Sequence, residues 1–364
     1  MVGKDCEFAE LSNGGIMQIF FRTLVPGVFV LILLIHLPAR QNTPEPETEP
    51  LFMIDATGKF SHEPGSYGYI NAAGKVVFEP QYDHAYDFTE GLAFVKQGEL
   101  FGCIDKSGRI VIEPFKCAYP WPFSEGLAAV NVDGKWGFID KSGKMVIAPQ
   151  FSHITSFKEG FACVRLDNTW MVIDKKGDRF FADHAFGGQS FSEGLIAIIK
   201  DQKWGYLDNS GKVAIEPEYE LVQPFAEGLA PVFRDNRWHY IDKSGQKAFD
   251  LEFVDATPFS EGLARVNLDY KVCYIDRTGA VTFERPEANA NPFSEGMAAF
   301  RVVNADGALK WGFVDKSGKI VIAPKFEYAW DFSNGLARVQ LGERWAYINK
   351  AGDYIWPEGF GEIP

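Results

Sequence analysis

Histidine and cysteine, the side chains that most often bind metals or act as nucleophiles, are sparse in this sequence. Six histidines and five cysteines are scattered over 364 residues. No Cys-x-x-Cys, His-x-x-x-His or His-Glu-x-x-His spacing is present, which argues against a zinc site. Gly-x-Ser-x-Gly and a glycine-rich phosphate loop are also missing. We therefore expect a protein that is not an enzyme and that needs neither a metal nor a cofactor.

Positive charge is in deficit as well. The chain has 36 Lys and Arg against 49 Asp and Glu, a formal net charge of -13. Binding to a phosphate backbone needs a surplus of Lys and Arg, so the balance disfavours nucleic acid as a partner. An acidic surface mainly keeps a protein soluble.

One short segment recurs along most of the chain. The phenylalanine that opens "FSEGLA" at position 123 has equivalents whose commonest spacing is 34 residues: Phe88, Phe123, Phe157, Phe191, Phe225, Phe259, Phe293 and Phe332. A "WGFID" column keeps the same register, and its clearest copies begin with Trp136-Gly137, Trp204-Gly205 and Trp311-Gly312. A motif that returns at fixed spacing indicates architecture and not a single catalytic site.

Each unit is predicted to contain three short strands. In the copy after Phe123, residues 127–132, 135–140 and 144–149 are strand-like stretches separated by turn signals, and no helical spacing is present. Asp133-Gly134 predicts a hairpin, and the Asp140 to Gly143 segment predicts a type I turn with a glycine bulge. Pro149 cannot donate to a β-ladder, so we expect it to end the third strand.

The predicted fold is all-β, a tandem array of about eight three-stranded antiparallel meanders of ~34 residues. Trp136 and Phe138 are expected as core anchors on one face, and Gly137 is expected to permit close approach of a neighbouring backbone or ring. Propeller blades usually have four strands, so an open solenoid or superhelix is favoured. The alternative is a propeller-like closed ring, which would result if the first half unit pairs with the last. That half unit is residues 67–80, and residues 51–60 look like a fragment too close to it to be a full copy.

At these residues the chain resembles the WG-repeat, or KWG-repeat, family of bacterial proteins. The resemblance extends from about Tyr67 to Pro357, and "KWGFIDKSGK" at Lys135 and "KWGFVDKSGKIVIAPKF" at Lys310 carry it most clearly. It implies a β-rich binding scaffold and supplies no catalytic residues. Three units have Met171, His239 or Cys273 in place of the glycine, so that position is expected to tolerate change.

Two acidic columns repeat with the units. The glutamates are Glu90, Glu125, Glu159, Glu193, Glu227, Glu261 and Glu295, and the aspartates are Asp105, Asp140, Asp174, Asp208, Asp242, Asp276 and Asp315. Repeated acids could bind calcium. An aspartate that opens a turn more often caps backbone N–H groups, and each glutamate precedes a turn glycine. We therefore expect turn chemistry in place of a metal site or a catalytic pair.

Candidate binding residues are those at which the copies differ, because constant positions are needed by every unit. The positions two and four residues before each marker phenylalanine vary, and aromatic residues collect there in three units: Tyr86, Tyr119, Trp121, Tyr328 and Trp330. Exposed rings on loops bind peptides or stack on sugars. The competing interpretation is that they cover hydrophobic edges near the ends of the array. We expect protein–protein interaction, with cell-wall or glycan binding through these rings as the alternative.

Residues 1–50 differ in kind from the repeats. Residues 16–37, within an N-terminal segment of residues 1–37, are apolar and long enough to cross a bilayer. They predict one helix that is either a transmembrane anchor or a signal peptide, the latter especially if Met17 is the start. Residues 38–50 form a Pro/Glu-rich linker to a β domain at residues 51–364. The repeats are then expected outside the cytoplasm, membrane-anchored or, after cleavage, secreted or periplasmic.

Overall fold

The computed structural model describes residues 49–59, 64–181, 189–285, 289–304 and 307–357 as strands, turns and loops. The apolar segment at residues 16–37, and the linker up to residue 48, lie outside these ranges. Within them, no helix has the length and apolarity needed to cross a membrane.

Nine antiparallel sheets, numbered 1 to 9 along the chain, are present in the described ranges. Each contains a first strand and a second strand. The first strands are Leu51–Asp55, Leu92–Gln97, Leu127–Val132, Phe161–Leu166, Leu195–Lys200, Leu229–Arg234, Leu263–Leu268, Met297–Val303 and Leu336–Leu341. The second strands are Tyr67–Asn71, Leu100–Asp105, Lys135–Asp140, Thr169–Asp174, Lys203–Asp208, Arg237–Asp242, Lys271–Asp276, Leu309–Asp315 and Arg344–Asn349.

A third strand completes every described sheet except sheet 6. The third strands are Val76–Tyr82, Ile110–Lys116, Met145–Phe151, Arg179–Phe181, Val213–Tyr219, Val281–Glu284, Ile320–Phe326 and Tyr354–Trp356. Two-residue leading strands pair with the first strands of sheets 2, 4, 6, 7, 8 and 9: His84–Ala85, His153–Ile154, Leu221–Val222, Asp255–Ala256, Asn289–Ala290 and Tyr328–Ala329. Five of the described sheets therefore have four strands, one more than the sequence predicted.

The strands of sheet 3 follow the prediction, except at Pro149. The first two match the predicted residues, but the third, Met145–Phe151, continues past the proline. The ladder is irregular there, since Ile147 and Phe151 pair with the second strand and the residues between them do not. A bulged edge strand accommodates a residue without an N–H. The expectation that Pro149 ends the strand is wrong.

The predicted turns of sheet 3 are confirmed. Asp133 and Gly134 both have positive φ, 51° and 79°, as a two-residue type I′ hairpin requires. Gly143 has a φ of 83°, and its N–H donates to the carbonyl of Asp140 at 2.9 Å.

Residues 51–60 do not form a separate fragment. Leu51–Asp55 pairs antiparallel with Tyr67–Asn71, and Val76–Tyr82 adds the third strand, so the segment begins sheet 1. A long connection between the first two strands breaks the usual spacing, which is why the sequence predicted a half unit. The described array has nine sheets in place of about eight units.

Hydrophobic side chains are buried between sheets. Phe138 and Ile147 of sheet 3, for example, pack with Phe157 and Val164 of sheet 4. A cluster of this kind joins each consecutive pair of described sheets. One further cluster joins the two ends of the array, with Phe52 and Ile54 of sheet 1 packed against residues of sheet 9. We call this contact between sheets 1 and 9 the seam.

Candidate functional site

The Trp-Gly and Asp-x-x-Gly residues hold each sheet together. A Cβ on Gly137 would lie 2.5 Å from the carbonyl oxygen of Ile147, so the third strand can approach only a glycine. A Cβ on Gly205 would lie 2.4 Å from the carbonyl oxygen of Ile215, and a Cβ on Gly312 would lie 2.5 Å from that of Ile322. Oδ1 of Asp140 accepts hydrogen bonds from the Ser142 N–H and hydroxyl, at 2.9 and 2.6 Å. These contacts lie within a single sheet and position its third strand and its turn.

The tryptophans of the column, expected as core anchors, pack at the margin of the core clusters and not at their centre. Trp136, Trp204 and Trp311 are half-buried. Two residues later, Phe138, Tyr206 and Phe313 are buried almost completely, and these rings fill the space between sheets. The outer position of the indole follows from its place near the start of the second strand, beside the turn.

The glutamate column does more than form turns, because each carboxylate reaches the next sheet. Glu125 accepts hydrogen bonds from the backbone N–H groups of Glu159 and Gly160, at 2.6 and 2.8 Å, and pairs with Lys175 at 3.1 Å. The other six glutamates of the column each accept an equivalent hydrogen bond from the backbone N–H of the turn glycine of the next sheet. The donors are Gly126, Gly194, Gly228, Gly262, Gly296 and Gly335. We call this series the glutamate ladder. Sequence spacing gave the column but not its partners, since they are about one repeat away.

The pKa values of several ladder carboxyls are lowered. For Glu125, partial burial disfavours the charge, but the N–H of Gly160 and the Lys175 ammonium outweigh it, so the pKa falls below its ordinary value. The pKa of Glu90, Glu193 and Glu261 is lowered in the same way, against burial, by a lysine and by backbone N–H groups of the following sheet. These acids are therefore charged and engaged at neutral pH.

The described cysteines are buried, and the described side chains that could bind a metal are dispersed. Within the described ranges, no three His, Cys, Asp or Glu side chains are grouped so that they could hold a metal ion. Cys103, Cys117, Cys163 and Cys273 are buried as free thiols. Burial raises the pKa of Cys117 to about 11 and that of Cys163 to about 12, so these thiols are protonated and poorly nucleophilic.

Four of the five aromatic candidates are substantially exposed residues. The exposed fractions are 64% for Tyr119, 36% for Trp121, 47% for Tyr328 and 55% for Trp330, whereas Tyr86 is half-buried and packs in the core between sheets 2 and 3. Tyr119 also lines a groove of about 720 Å³ with Lys96 and Lys116.

Arg338 connects two of the aromatic segments. Its guanidinium lies 5.6 Å from the ring centre of Trp330, and its Nη2 lies 4.0 Å from Oδ1 of Asp87, the residue after Tyr86. Tyr328 stands beside Trp330 with 6.5 Å between ring centres. We call Asp87, Tyr328, Trp330 and Arg338 the seam surface, because it joins sheets 2 and 9 across sheet 1. The structure places Tyr119 and Trp121 on sheet 3, outside this group.

A known repeat, described as the "WG containing repeat", matches six segments of the chain. They are residues 67–100, 101–136, 136–170, 204–238, 240–271 and 311–345, which together exceed half of the sequence. The chain belongs to the WG-repeat family. The resemblance predicted from the "KWGFIDKSGK" copies is thereby confirmed for this WG-repeat protein. No curated protein matches it significantly.

Solved structures resemble the WG-repeat protein only distantly. Dihydro-heme d1 dehydrogenase NirN in complex with DHE is 11% identical, over 86% of this chain and 78% of that chain, with a TM-score of 0.48. AztD from Citrobacter koseri is 14% identical over 74% and 92%, with a TM-score of 0.39. Kluyveromyces lactis Hsv2 is 9% identical over 71% and 94%, with a TM-score of 0.37. Similarities at this level carry no conclusion about function.

Proposed function

We propose that this WG-repeat protein is a non-enzymatic scaffold that binds another protein through the seam surface. The observation that carries the proposal is the environment of Trp330. Trp330 is 55% exposed, yet its ring lies against Arg338, whose side chain is only 16% exposed. A large ring held rigidly loses little conformational freedom on binding, and tryptophan, tyrosine and arginine dominate the energetics of protein interfaces.

The experiment compares exposed aromatic residues inside and outside the seam surface. The double variant Tyr328→Ala, Trp330→Ala should lose a partner that the wild-type chain captures in its native cells, and binding should then be reproduced with the purified partner. Tyr270→Ala is the matched control, because Tyr270 is 82% exposed on a turn of sheet 7. A partner that the double variant retains, or that Tyr270→Ala loses equally, would contradict the proposal.

Glycan binding is the second candidate, and the exposed indoles of Trp121 and Trp330 favour it. A partly exposed aromatic face can stack on the C–H groups of a sugar ring. Purified cell-wall polysaccharide should then bind the wild-type chain, and Trp121→Ala and Trp330→Ala should each weaken that binding. If both variants bind the polysaccharide as strongly as the wild-type chain does, glycan binding through these indoles is ruled out and protein binding remains.

We propose further that the array closes into a propeller-like ring. Supporting contacts at the seam include the 2.8 Å hydrogen bond from the Trp345 N–H to the carbonyl of Gly58, and the 3.5 Å ion pair of Lys59 with Glu343. In the variant Lys59→Cys, Glu343→Cys, a short bifunctional thiol reagent should cross-link the two residues within one molecule. Cross-links that form only between molecules would indicate an open array.

A location outside the cytoplasm completes the proposal, motivated by the apolar segment at residues 16–37. It is tested with a tagged full-length chain by cell fractionation and protease accessibility. External protease should degrade the repeats in intact cells or spheroplasts, while a cytoplasmic control protein survives. A soluble cytoplasmic pool would overturn this location and the cell-wall candidate with it.

A further inference from the structure

Glycine in the Trp-Gly column and a proline in the third strand occur together in this chain. Five sheets have the glycine, and the same five have a proline nine residues after the Asp or Asn that opens the next turn: Gly68 with Pro80, Gly102 with Pro114, Gly137 with Pro149, Gly205 with Pro217, and Gly312 with Pro324. In each, a Cβ on the glycine would meet a third-strand carbonyl at 3.0 Å or less. The bulged third strand around the proline therefore lies so close to the glycine that no Cβ fits between them.

The other four sheets have a side chain in this position, and in sheets 6, 7 and 9 the third strand is also altered. Cys273 and Ala346 accompany third strands of four and three residues, whereas the five glycine sheets have seven; beside Met171 the third strand is described only as far as Phe181. His239 accompanies the largest change. In the described part of sheet 6, only isolated bridges from Trp238 to Phe253 and from Ile241 to Lys247 remain. The imidazole thus occupies space that the bulge takes elsewhere.

A pocket of about 420 Å³ opens where sheet 6 lacks its third strand. Its lining includes Tyr219 of sheet 5 and His239, Lys247 and Glu252 of sheet 6. His239 is only 7% exposed, and its Nδ1 has no hydrogen-bond partner among the described residues. A buried polar atom without a partner is unfavourable, and such groups in folded proteins usually meet a protein, water or ligand group.

The geometry around Nδ1 suits a hydrogen-bond donor. Oε1 of Glu252 lies 3.8 Å from Nδ1, and Nζ of Lys247 lies 3.6 Å from the same Oε1. When the imidazole is neutral with its proton on Nε2, Nδ1 and Oε1 are two acceptors side by side, and one ammonium group can donate to both.

The rest of the pocket offers complementary groups for a small molecule with both charges. Arg234 also lines it, paired with Glu218 at 3.1 Å, and both side chains are about half exposed. Two elements of sheet 6 therefore place a cation at the pocket: Arg234 lies on the first strand, and Lys247 lies in the segment after the second strand. Val232 and Ile241 are buried and supply an apolar wall.

We propose that the pocket between sheets 5 and 6 binds a free α-amino acid. The ammonium group of the ligand donates to Nδ1 of His239 and to Glu252, its carboxylate pairs with Lys247 and Arg234, and its side chain packs on Val232 and Ile241. A volume of about 420 Å³ is sufficient for one amino acid. The site lies outside the seam surface and does not depend on the protein-binding proposal.

The test is calorimetric titration of the full chain with the free amino acids, each at up to ~10 mM, beside monosaccharides and simple dicarboxylates. At least one amino acid should bind and raise the unfolding temperature, as binding to the folded state requires. Its N-acetylated form, which lacks the ammonium group, should not bind. Binding of no amino acid, or equal binding of the N-acetylated form, would overturn the proposal.

Variants locate the binding site. Glu252→Gln and His239→Leu should each weaken binding about tenfold or more, since the first removes the negative charge that faces the ammonium group and the second removes the acceptor Nδ1. Glu284→Gln is the matched control, because the Lys271–Glu284 pair at 3.5 Å is as exposed as the Lys247–Glu252 pair but lies on sheet 7. Glu252→Gln, an exposed change, remains decisive if His239→Leu does not fold. Unchanged affinity in Glu252→Gln would place any bound amino acid elsewhere and contradict the proposal.

Discussion

The hydroxyl of Tyr347 in sheet 9 donates a buried 2.8 Å hydrogen bond to the backbone carbonyl of Met53 in sheet 1. The same hydroxyl accepts a hydrogen bond from Nη2 of Arg338 at 3.0 Å. Burial, partly offset by Arg338, raises the pKa of Tyr347 to about 12, so the phenol remains a donor at neutral pH. The seam therefore has its own polar contact in place of the glutamate ladder.

At the seam, the ladder glutamate, the turn glycine and the turn lysine are all replaced by other residues. Asn334 replaces the ladder glutamate in sheet 9, Pro50 replaces the turn glycine in sheet 1, and Ala72 replaces the turn lysine. Proline has no N–H to donate, and alanine carries no charge. Contacts specific to the seam, such as the hydrogen bond of Tyr347 to Met53, therefore take the place of the hydrogen bond between turn glycine and ladder glutamate.

Loss of the Tyr347 hydroxyl should loosen the seam first. Tyr347→Phe leaves the buried carbonyl of Met53 without its donor, and we expect a loss of about 1–2 kcal/mol in the free energy of unfolding. Hydrogen exchange should accelerate in Leu51–Asp55 before it does so elsewhere. Tyr206→Phe is the control, because Tyr206 donates a similar 2.7 Å bond to Gln223 between sheets 5 and 6. Equal acceleration of Leu51–Asp55 in both variants would contradict a local role.

Loss of one ladder carboxylate should destabilise the array. Glu125→Ala removes the acceptor of two backbone N–H groups and the partner of Lys175, so chemical denaturation should show a loss of about 1–3 kcal/mol. Glu216→Ala is the control, because Glu216 is exposed on the third strand of sheet 5. The equivalent residues of sheets 3 and 8 are already alanines, Ala148 and Ala323. The idea fails if the two variants are equally stable.

Stability should depend on pH through the ladder acids. The folded pKa of Glu90, Glu125, Glu193 and Glu261 is lowered, so the unfolded chain binds protons more readily. The contribution is complete above the unfolded pKa of about 4.3 and is lost as the pH falls through the folded values. Thermal midpoints should be nearly constant from neutral pH to about 5 and fall below about 4. Glu125→Gln should show a shallower fall, and a midpoint that rises on acidification would contradict the assignment.

A methyl group should not fit at the central glycine of sheet 3. Gly137→Ala places a Cβ 2.5 Å from the Ile147 carbonyl, and the third strand must shift. We expect a loss of about 2 kcal/mol, typical of overpacking, measured by chemical denaturation. The reciprocal change, Ala346→Gly, tests a sheet that already has a side chain here and a short third strand, and its effect should stay near 1 kcal/mol, as expected for glycine in a strand. A tolerated Gly137→Ala would mean that contact with the third strand does not select glycine.

Much of each sheet could be predicted from the sequence because its causes are local. The hairpin at Asp133-Gly134 and the turn at Asp140 depend on neighbouring residues, and alternation of side chains sets the strands. Sheet 1 was missed because its first two strands are separated by a long connection. The third strand was cut short because the bulge at Pro149 depends on Gly137, a contact between strands that spacing does not reveal.

By itself the sequence determined the repeat, the all-β class, the first two strands of each regular unit and the family, because each follows from residues that recur at fixed spacing. It also supplied the aromatic candidates, Tyr86, Tyr119, Trp121, Tyr328 and Trp330, but not their grouping. Only the tertiary structure joined Trp330 to Asp87 through Arg338, and Tyr347 to Met53 across 294 residues. Those contacts depend on how small rotations between successive sheets accumulate, which no single repeat encodes.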